Sequence, residues 1–146
     1  MVESEKGYQP ESGLANRLKL YKVFYDKEIS IREGVDENTL ITPMGPFKTR
    51  IKFTVLEFDN LIDSSCVTVE DQQLMANTVE KHYKDYDGFV IIHGTDTMAY
   101  TASTLSFMFE NLNKTVVITG SQIPISQLRS DAVDNLLGSL MVAGPF

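Results

Sequence analysis

A set of hydroxyl, carboxylate and small residues follows an apolar run near the middle of the chain. Residues 89 to 92 are Phe, Val, Ile and Ile, and residues 93 to 97 are His, Gly, Thr, Asp and Thr. Between a strand and a helix, this turn would lie at the carboxyl edge of a sheet, where α/β proteins bind ligands. Its polar groups would then lie at the positive end of the helix dipole. Simple helix capping by Thr95 or Asp96 is the alternative, but it explains one such residue and not the whole set.

The flanking segments show the periodicities of alternating strands and helices. Apolar and polar residues alternate over 51–55, which predicts a strand, and the apolar runs at 89–92 and 116–118 are typical of fully buried parallel strands. Helices are predicted from 68 towards 84–88, over 98–112 and over 130–141. Thr68 with Asp71 fits a capping box, and Ser130 is the expected N-cap of the last helix. This order predicts an α/β fold, Rossmann-like and three-layered (αβα), with a mainly parallel sheet.

Composition restricts the kind of partner. The formal net charge of −7 makes the average surface repel nucleic acid and anionic membranes, so a small neutral or amino-acid ligand is expected. Cys66 is the only cysteine, which excludes an intrachain disulfide and suits a reducing compartment. No run approaches a membrane span and no signal-peptide core opens the sequence. We therefore expect a cytoplasmic protein of one domain, 1–146, whose polar residues 1–16 form a mobile loop.

Other chemistries receive less support from the same residues. His93 and Asp96 are three positions apart, but no third ligand follows at metal-like spacing, so neither a metal nor another cofactor is expected. A relay of these two residues with Ser64 lacks a G-x-S-x-G elbow, and a histidine at a strand end is more often packed and hydrogen-bonded. The Gly120-Ser121-Gln122 loop is a weak phosphate cradle and is interpreted as backbone at the edge of a site.

The segment HGTDTMAYTASTLSFMFENLNKTVVITGSQIP, residues 93 to 124, resembles the bacterial-type L-asparaginases, in particular the cytoplasmic type I branch and its animal relatives. RSD at 129–131 and NLL at 135–137 follow at the spacing of that family. The resemblance extends over nearly the whole chain. SEKGYQPESG is similar to the family's loop after the nucleophile, FTVLEFDNLIDSSCVT to its substrate-binding segment, and KHYKDYDGFV to the helix that leads into the second motif.

The resemblance implies a reaction in which a threonine of a T-G-G-T-I-G loop attacks the side-chain amide of L-asparagine. An acyl-enzyme and ammonia form, and water then releases aspartate. By motif match, Thr95 and Asp96 resemble two members of a Thr-Asp-Lys set that moves protons, and Asp96 also matches the carboxylate that holds the substrate's amino group. Binding of the α-carboxylate and amino groups is implied for Asp63, Ser64 and Ser65, and orientation of the nucleophile by a mobile lid for Tyr8. A plain turn at 63–65 and an ordinary loop tyrosine are the alternatives.

The sequence departs from the family pattern in two respects. No T-G-G-T-I-G segment occurs, and Met1 stands where that motif's closing methionine would be. Neither Lys81, Lys84 nor Lys114 lies in a segment that matches the family's catalytic lysine. We therefore expect an incomplete N-terminal domain, without the family's first strand and C-terminal domain, which is nearly inactive alone because its catalytic groups act as a unit. Apolar side chains left bare by the missing strand would make it marginally stable.

Three hypotheses follow. The first is an incomplete copy of an asparagine amidohydrolase, whose complete form is expected to be a homo-oligomer. The second is a non-catalytic module that binds amino acids or assembles with a full-length partner. The third, an amidotransferase subunit acting on tRNA-linked glutamate, shares the HGTDT motif, but the segments around Tyr8 and Asp63 are more similar to type I asparaginases. An in-frame TGGTIG upstream of Met1 in the genomic sequence would favour the first hypothesis over the second.

Overall fold

The computed structural model describes residues 2–4, 7–45 and 48–144, without the side chains of 2–4, 7 and 8. These residues form two compact units, Met1–Gln9 with Ile62–Phe146 and Pro10–Leu61, and a single domain over 1–146 stays a prediction. The strands are β1 (Val2–Ser4), β2 (Gly7–Gln9), β3 (Thr39–Ile41), β4 (Lys52–Thr54), β5 (Gly88–Ile92) and β6 (Thr115–Thr119). The helices are α1 (Leu14–Leu18), α2 (Lys27–Glu33), α3 (Val69–His82), α4 (Met98–Met108) and α5 (Ala132–Ala143), with a 3-10 turn at Ser64–Cys66.

A parallel pair of strands positions the two motifs of the first unit. β5 and β6 pair in parallel from Gly88 opposite Thr115 to Ile92 opposite Thr119, and the His93 amide extends the pairing by donating to the Thr119 carbonyl at 2.7 Å. The parallel α/β prediction is confirmed here, but the prediction of full burial was wrong. Both strands are half-buried and Ile92 is 54% exposed, because among the described residues these two strands pair only with each other.

Helix α3 begins as its sequence predicts. The Thr68 hydroxyl accepts from the Asp71 amide while the Asp71 carboxylate accepts from the Thr68 amide, so the capping box is confirmed. The helix ends at His82, before the predicted 84–88. The Lys114 ammonium donates there to the carbonyls of Tyr83 and Tyr86. These bonds satisfy carbonyls beyond the helix end and attach α3 to the start of β6.

The two other predicted helices are present with shorter bounds. α4 ends at Met108 instead of 112, and Asn111 in the following turn has a left-handed φ of 53°, a conformation that asparagine tolerates. α5 begins at Ala132 with Asp131 as its N-cap, so the assignment of the N-cap to Ser130 was wrong. The Ser130 hydroxyl nevertheless accepts from the Ala132 amide at 3.1 Å, which satisfies one of the first amides of the helix.

The strand predicted at 51–55 is present, but it does not pair with the parallel strands. It is β4, and it pairs antiparallel with β3 in the second unit, so the inference that it joins the parallel sheet was wrong. The short β3 segment had no periodic pattern to reveal it as the closer partner. This hairpin forms a small core with the buried side chains of Leu18, Phe24 and Leu40.

The amino-terminal segment also differs from its prediction. Residues 1–16 were expected to form a loop, yet β1 and β2 form an antiparallel hairpin and α1 begins at Leu14. The hairpin places the backbone of Tyr8 opposite Glu3, but the predicted role of Tyr8 concerns a side chain that lies outside the described part of the chain. No helix among the described residues is long and apolar enough to cross a membrane.

We predict that Gly88→Ala destabilises the protein while Gly138→Ala does not. A Cβ on Gly88 would overlap the backbone carbonyl of Ala143, which is part of the helix packed on the sheet, and overpacking of this kind costs about 1–3 kcal/mol. A Cβ on Gly138 meets nothing within 4 Å, and alanine in place of an exposed helical glycine contributes about 0.5–1 kcal/mol. The free energy of unfolding of each variant, measured by urea unfolding with circular dichroism, checks both expectations. Equal effects at the two positions would contradict the packing argument.

Candidate functional site

The turn after β5 lies directly against the 63–66 turn. The Thr97 hydroxyl donates to the Ser64 carbonyl at 2.7 Å. A Cβ placed on Gly94 would lie 2.5 Å from Ser64 Oγ and 2.7 Å from Ser64 Cβ, so only glycine allows this approach. Residues 63–65 and 93–97 are expected from the sequence to contribute to one site, and the structure brings Ser64 of the first segment to Gly94 and Thr97 of the second.

The Asp63 carboxylate shapes its own turn. It accepts from the Ser65 amide at 2.9 Å and from the Ser65 hydroxyl at 2.8 Å. These two donors, the amide first, lower the pKa of Asp63 below its ordinary value. Ser64 is buried and Ser65 is exposed, so the turn presents the Ser65 hydroxyl and the flank of the Asp63 carboxylate at its surface. This geometry also fits the alternative of a structural turn before a helix.

Thr95 and Asp96 lie at the surface at the carboxyl end of β5. Thr95 is half-buried and Asp96 is exposed, so the described residues cover Thr95 only in part and leave Asp96 open to solvent. The Asp96 carboxylate forms no hydrogen bond or ion pair with any described residue, unlike the Asp63 carboxylate. An exposed, unpaired carboxylate beside a turn of backbone amides is chemically able to accept an ammonium group.

His93 is buried behind this surface. It is 6% exposed, and its Nδ1 lies 2.7 Å from the Gly94 carbonyl oxygen. Because a carbonyl can only accept, Nδ1 donates in this hydrogen bond. Nε2 is buried and has no partner among the described residues. The expectation of a packed, hydrogen-bonded histidine is confirmed at Nδ1, and no group of three potential metal-binding side chains occurs in the described part of the chain.

The loop after β6 forms the third side of the site region. A Cβ on Gly120 would overlap the His93 carbonyl and lie 2.6 Å from Met98 Cε, so this loop also packs closely on the turn after β5. The Asp131 carboxylate accepts from the amides of Gln122 and Ile123 at 3.1 and 3.0 Å. These bonds hold the loop that follows Gly120 beside the turn after β5, and its place at the edge of a ligand site stays a prediction.

Two residues with positioning contacts were missed by the sequence analysis. Thr97 was treated as part of a polar set without a role of its own, because a threonine just before a helix is normally a cap. Asp131 was noted only within the RSD motif. Asp131 stands at the start of an apolar helical pattern, and this position could have indicated its role, since an aspartate there can accept from backbone amides. No sequence pattern near Thr97 indicated that its hydroxyl bonds to Ser64, 33 residues earlier in the chain.

Comparison with known proteins places these features in a family. Residues 4–146 match the family model "Asparaginase, N-terminal", and the chain therefore belongs to the asparaginase family. It is 48% identical over 147 residues to "L-asparaginase 1" of Escherichia coli, which covers all of this chain and 37% of the relative. It is 49% identical over 137 residues to "60 kDa lysophospholipase" of Homo sapiens, which covers 94% of this chain and 24% of the relative.

A solved structure shows the same local fold. The crystal structure of L-asparaginase I from Vibrio cholerae superimposes with a TM-score of 0.61 and 63% sequence identity, over 62% of this chain and 28% of that one. The chain thus spans between about a quarter and two-fifths of the length of these relatives. The family and its α/β class are established for this chain, and the resemblance drawn from the HGTDT and TGSQIP segments is confirmed.

We predict that the contribution of Asp131 to stability is lost in acid. Hydrogen bonds from the Ile123 and Gln122 amides, in that order, lower the pKa of Asp131 below its ordinary value of 3.8. A carboxyl whose pKa is lower in the folded state stabilises above the unfolded value, and this contribution disappears as pH falls through the lowered pKa. Thermal unfolding should therefore show Asp131→Asn less stable than wild type at pH 5–7, with the difference shrinking below about pH 4.

Asp134→Asn is the matched control for that experiment. Asp134 is exposed in the first turn of the same helix, so it shares the helix dipole but not the two backbone donors. A difference between wild type and Asp131→Asn that stayed constant from pH 7 to pH 2, or an equal pH dependence for the two variants, would contradict the assignment.

Proposed function

We propose that this chain supplies the substrate-binding and proton-handling part of an L-asparagine amidohydrolase. The reaction converts asparagine and water to aspartate and ammonia through an acyl-enzyme on a threonine. The observation that carries the proposal is the contact of the 63–65 turn with the 93–97 turn at the carboxyl end of β5, made by the Thr97 hydroxyl and by the close approach of Gly94 to Ser64. Family membership supports it.

The charges of the two turns suit a free amino acid. The Asp96 carboxylate is exposed and unpaired among the described residues and would accept the substrate's ammonium group. The amides at the start of α4 would donate to its α-carboxylate, as would the Ser65 hydroxyl once it leaves the Asp63 carboxylate to which it donates in this structure. A zwitterion matches both demands at once, whereas the formal net charge of −7 disfavours an anion without an amino group.

Thr95 is the candidate for proton movement during the reaction. A hydroxyl is too weak an acid to react unaided at neutral pH and needs a basic neighbour, which a lysine supplies in the Thr-Asp-Lys set that the family resemblance implies. No segment of these 146 residues matches the lysine segment or the T-G-G-T-I-G nucleophile. We infer that hydrolysis requires both groups in addition to the residues described here.

The arrangement of the sheet and its helices is a further part of the proposed function. We infer that the parallel β5–β6 pair, with α3, α4 and α5, is part of a Rossmann-like three-layer αβα arrangement with a mainly parallel sheet. Helix α5 packs against both strands and α4 against β6, which is the layering that such a domain repeats. A cytoplasmic location and a homo-oligomer of the complete protein are further parts of the proposal, motivated by the type I resemblance.

Ligand titration tests the assigned amino-group contact. Nuclear magnetic resonance spectra of the 15N-labelled chain should show shifts at the amides of 63–65 and 95–96 on addition of L-asparagine. Asp96→Asn should weaken L-asparagine binding on the order of tenfold, the usual contribution of one charge-assisted hydrogen bond. The same substitution should not weaken binding of succinamate, which is asparagine without its amino group, because no ammonium contact is lost and a negative charge near this anion is removed.

The pair of ligands makes that experiment specific. A loss of affinity for both ligands would indicate disturbed structure rather than a lost ammonium contact. Asp134→Asn, which removes an exposed carboxylate from a different helix, is the control for overall charge. Absence of shifts at both turns with saturating L-asparagine would overturn the proposed substrate.

Ammonia release tests the assignment of catalytic groups. The purified 146-residue chain should release ammonia from asparagine at the rate of a blank, because a set of catalytic residues that acts together loses orders of magnitude in rate when members are removed. Robust turnover that disappears in Thr95→Ala would mean that another nucleophile exists within these residues, and the assignment would then be wrong.

A further inference from the structure

The first turn of α4 shows an unused capping position. Thr97 is the N-cap of α4, but its side chain makes no capping hydrogen bond. Threonine is favoured at this position because its oxygen normally accepts from an amide two or three residues further on. Here the hydroxyl instead donates to the Ser64 carbonyl, 33 residues earlier in the chain. The only side-chain hydrogen bond of this N-cap residue among the described residues is therefore to another segment of the chain.

The Ser64 carbonyl is a junction of two hydrogen bonds. It accepts from the Thr97 hydroxyl at 2.7 Å and from the Val67 amide at 3.2 Å, which closes the 3-10 turn. The same turn is bonded internally through the Cys66 amide to the Asp63 carbonyl at 2.9 Å. Loss of the Thr97 bond would therefore loosen the turn that carries Asp63 and Ser65, without removing any of its own residues.

Packing leaves this junction little freedom. Ser64 is 6% exposed, and the absence of a side chain on Gly94 brings that backbone into contact with Ser64 Oγ and Cβ. The Thr97 hydroxyl and the Gly94 backbone thus approach the same residue from one turn. Two such contacts fix both the distance and the rotation of one turn relative to the other.

We propose that Thr97 is a positioning residue, whose hydroxyl fixes the 63–66 turn relative to Thr95 and Asp96. The consequence for ligand binding rests on the proposed function, since the two turns would bind opposite ends of one amino acid. Thr97 itself makes no contact with substrate in this assignment. Preorganisation of the two turns lowers the ordering cost of binding, so loosening them weakens affinity.

Amide hydrogen exchange measures the positioning directly. Thr97→Val keeps the shape of the side chain and removes its hydroxyl. Exchange at the Cys66 and Val67 amides should then accelerate on the order of fivefold to tenfold relative to the amides of β5, the effect expected for one net hydrogen bond. Affinity for L-asparagine should fall by a similar factor. Thr97→Ser keeps the donor and should restore both quantities to within about twofold of wild type.

Two further variants separate positioning from capping. Thr104→Val is the matched control, because the Thr104 hydroxyl donates within α4 to the Tyr100 carbonyl at 3.0 Å, and it should leave the turn amides unchanged. Thr97→Asp provides a strong helix cap without a donor at neutral pH, so it should keep α4 intact while the turn amides still exchange faster. This variant is scored by exchange alone, since its charge would also affect ligand affinity.

The outcomes distinguish this proposal from the proposed function. Unchanged turn exchange in Thr97→Val, or a protected turn in Thr97→Asp, would overturn the positioning role. If Thr97→Val does not fold, the comparison of the serine and aspartate variants decides in the same way. If the turn loosens as expected but wild type binds no L-asparagine, the positioning role stands and the proposed substrate fails.

Discussion

The close approach of backbone segments around two glycines is the constraint on which the candidate site depends. β5 and β6 run in parallel register, so the turns that follow them emerge at the same edge. Gly94 lets the first turn contact Ser64, and Gly120 lets the second contact the His93 carbonyl and Met98. A side chain at either position would separate these segments. The absence of side chains at Gly94 and Gly120 thus allows the polar residues of the region to lie close together.

Hydrogen bonds then stabilise the close contacts between segments that Gly94 and Gly120 allow. The Asp131 carboxylate accepts from two amides of the loop after β6, and the Thr97 hydroxyl donates to the turn at Ser64. Both residues lie at helix starts, where such side chains normally accept from their own helix, and neither makes a capping bond there. The usual cap contributes about 0.5–2 kcal/mol. At both helix ends the side chain is therefore bonded to a loop and not to the first amides of its own helix, a departure from local rules that is typical of functional sites.

How much the sequence predicted depended on the range of each interaction. The capping box at Thr68 and the parallel strand at 89–92 were predictable because their signals lie within a few residues. The strand that pairs with β4, Thr39–Ile41, was not predictable, because three residues are too few to show an alternating pattern and they lie in a charged segment. The partial burial of β5 also escaped prediction, since composition indicates which residues could be buried and not which neighbours cover them.

The same distinction applies to the site. The sequence predicts a polar ligand region at Thr95 and Asp96 from their place after a strand, and adds Asp63 only through the family resemblance, while the availability of these side chains depends on contacts. Asp63 and Asp96 are both carboxylates, yet Asp63 is held by Ser65 donors that lower its pKa, whereas Asp96 is exposed and unpaired among the described residues. Because a carboxylate already bonded to two donors has less capacity for a third, an incoming ammonium group would meet its strongest acceptor at Asp96. Under the proposed function the two turns would therefore have different tasks: the Asp63 carboxylate stabilises its own turn, and the Asp96 carboxylate would bind the ammonium group of the ligand.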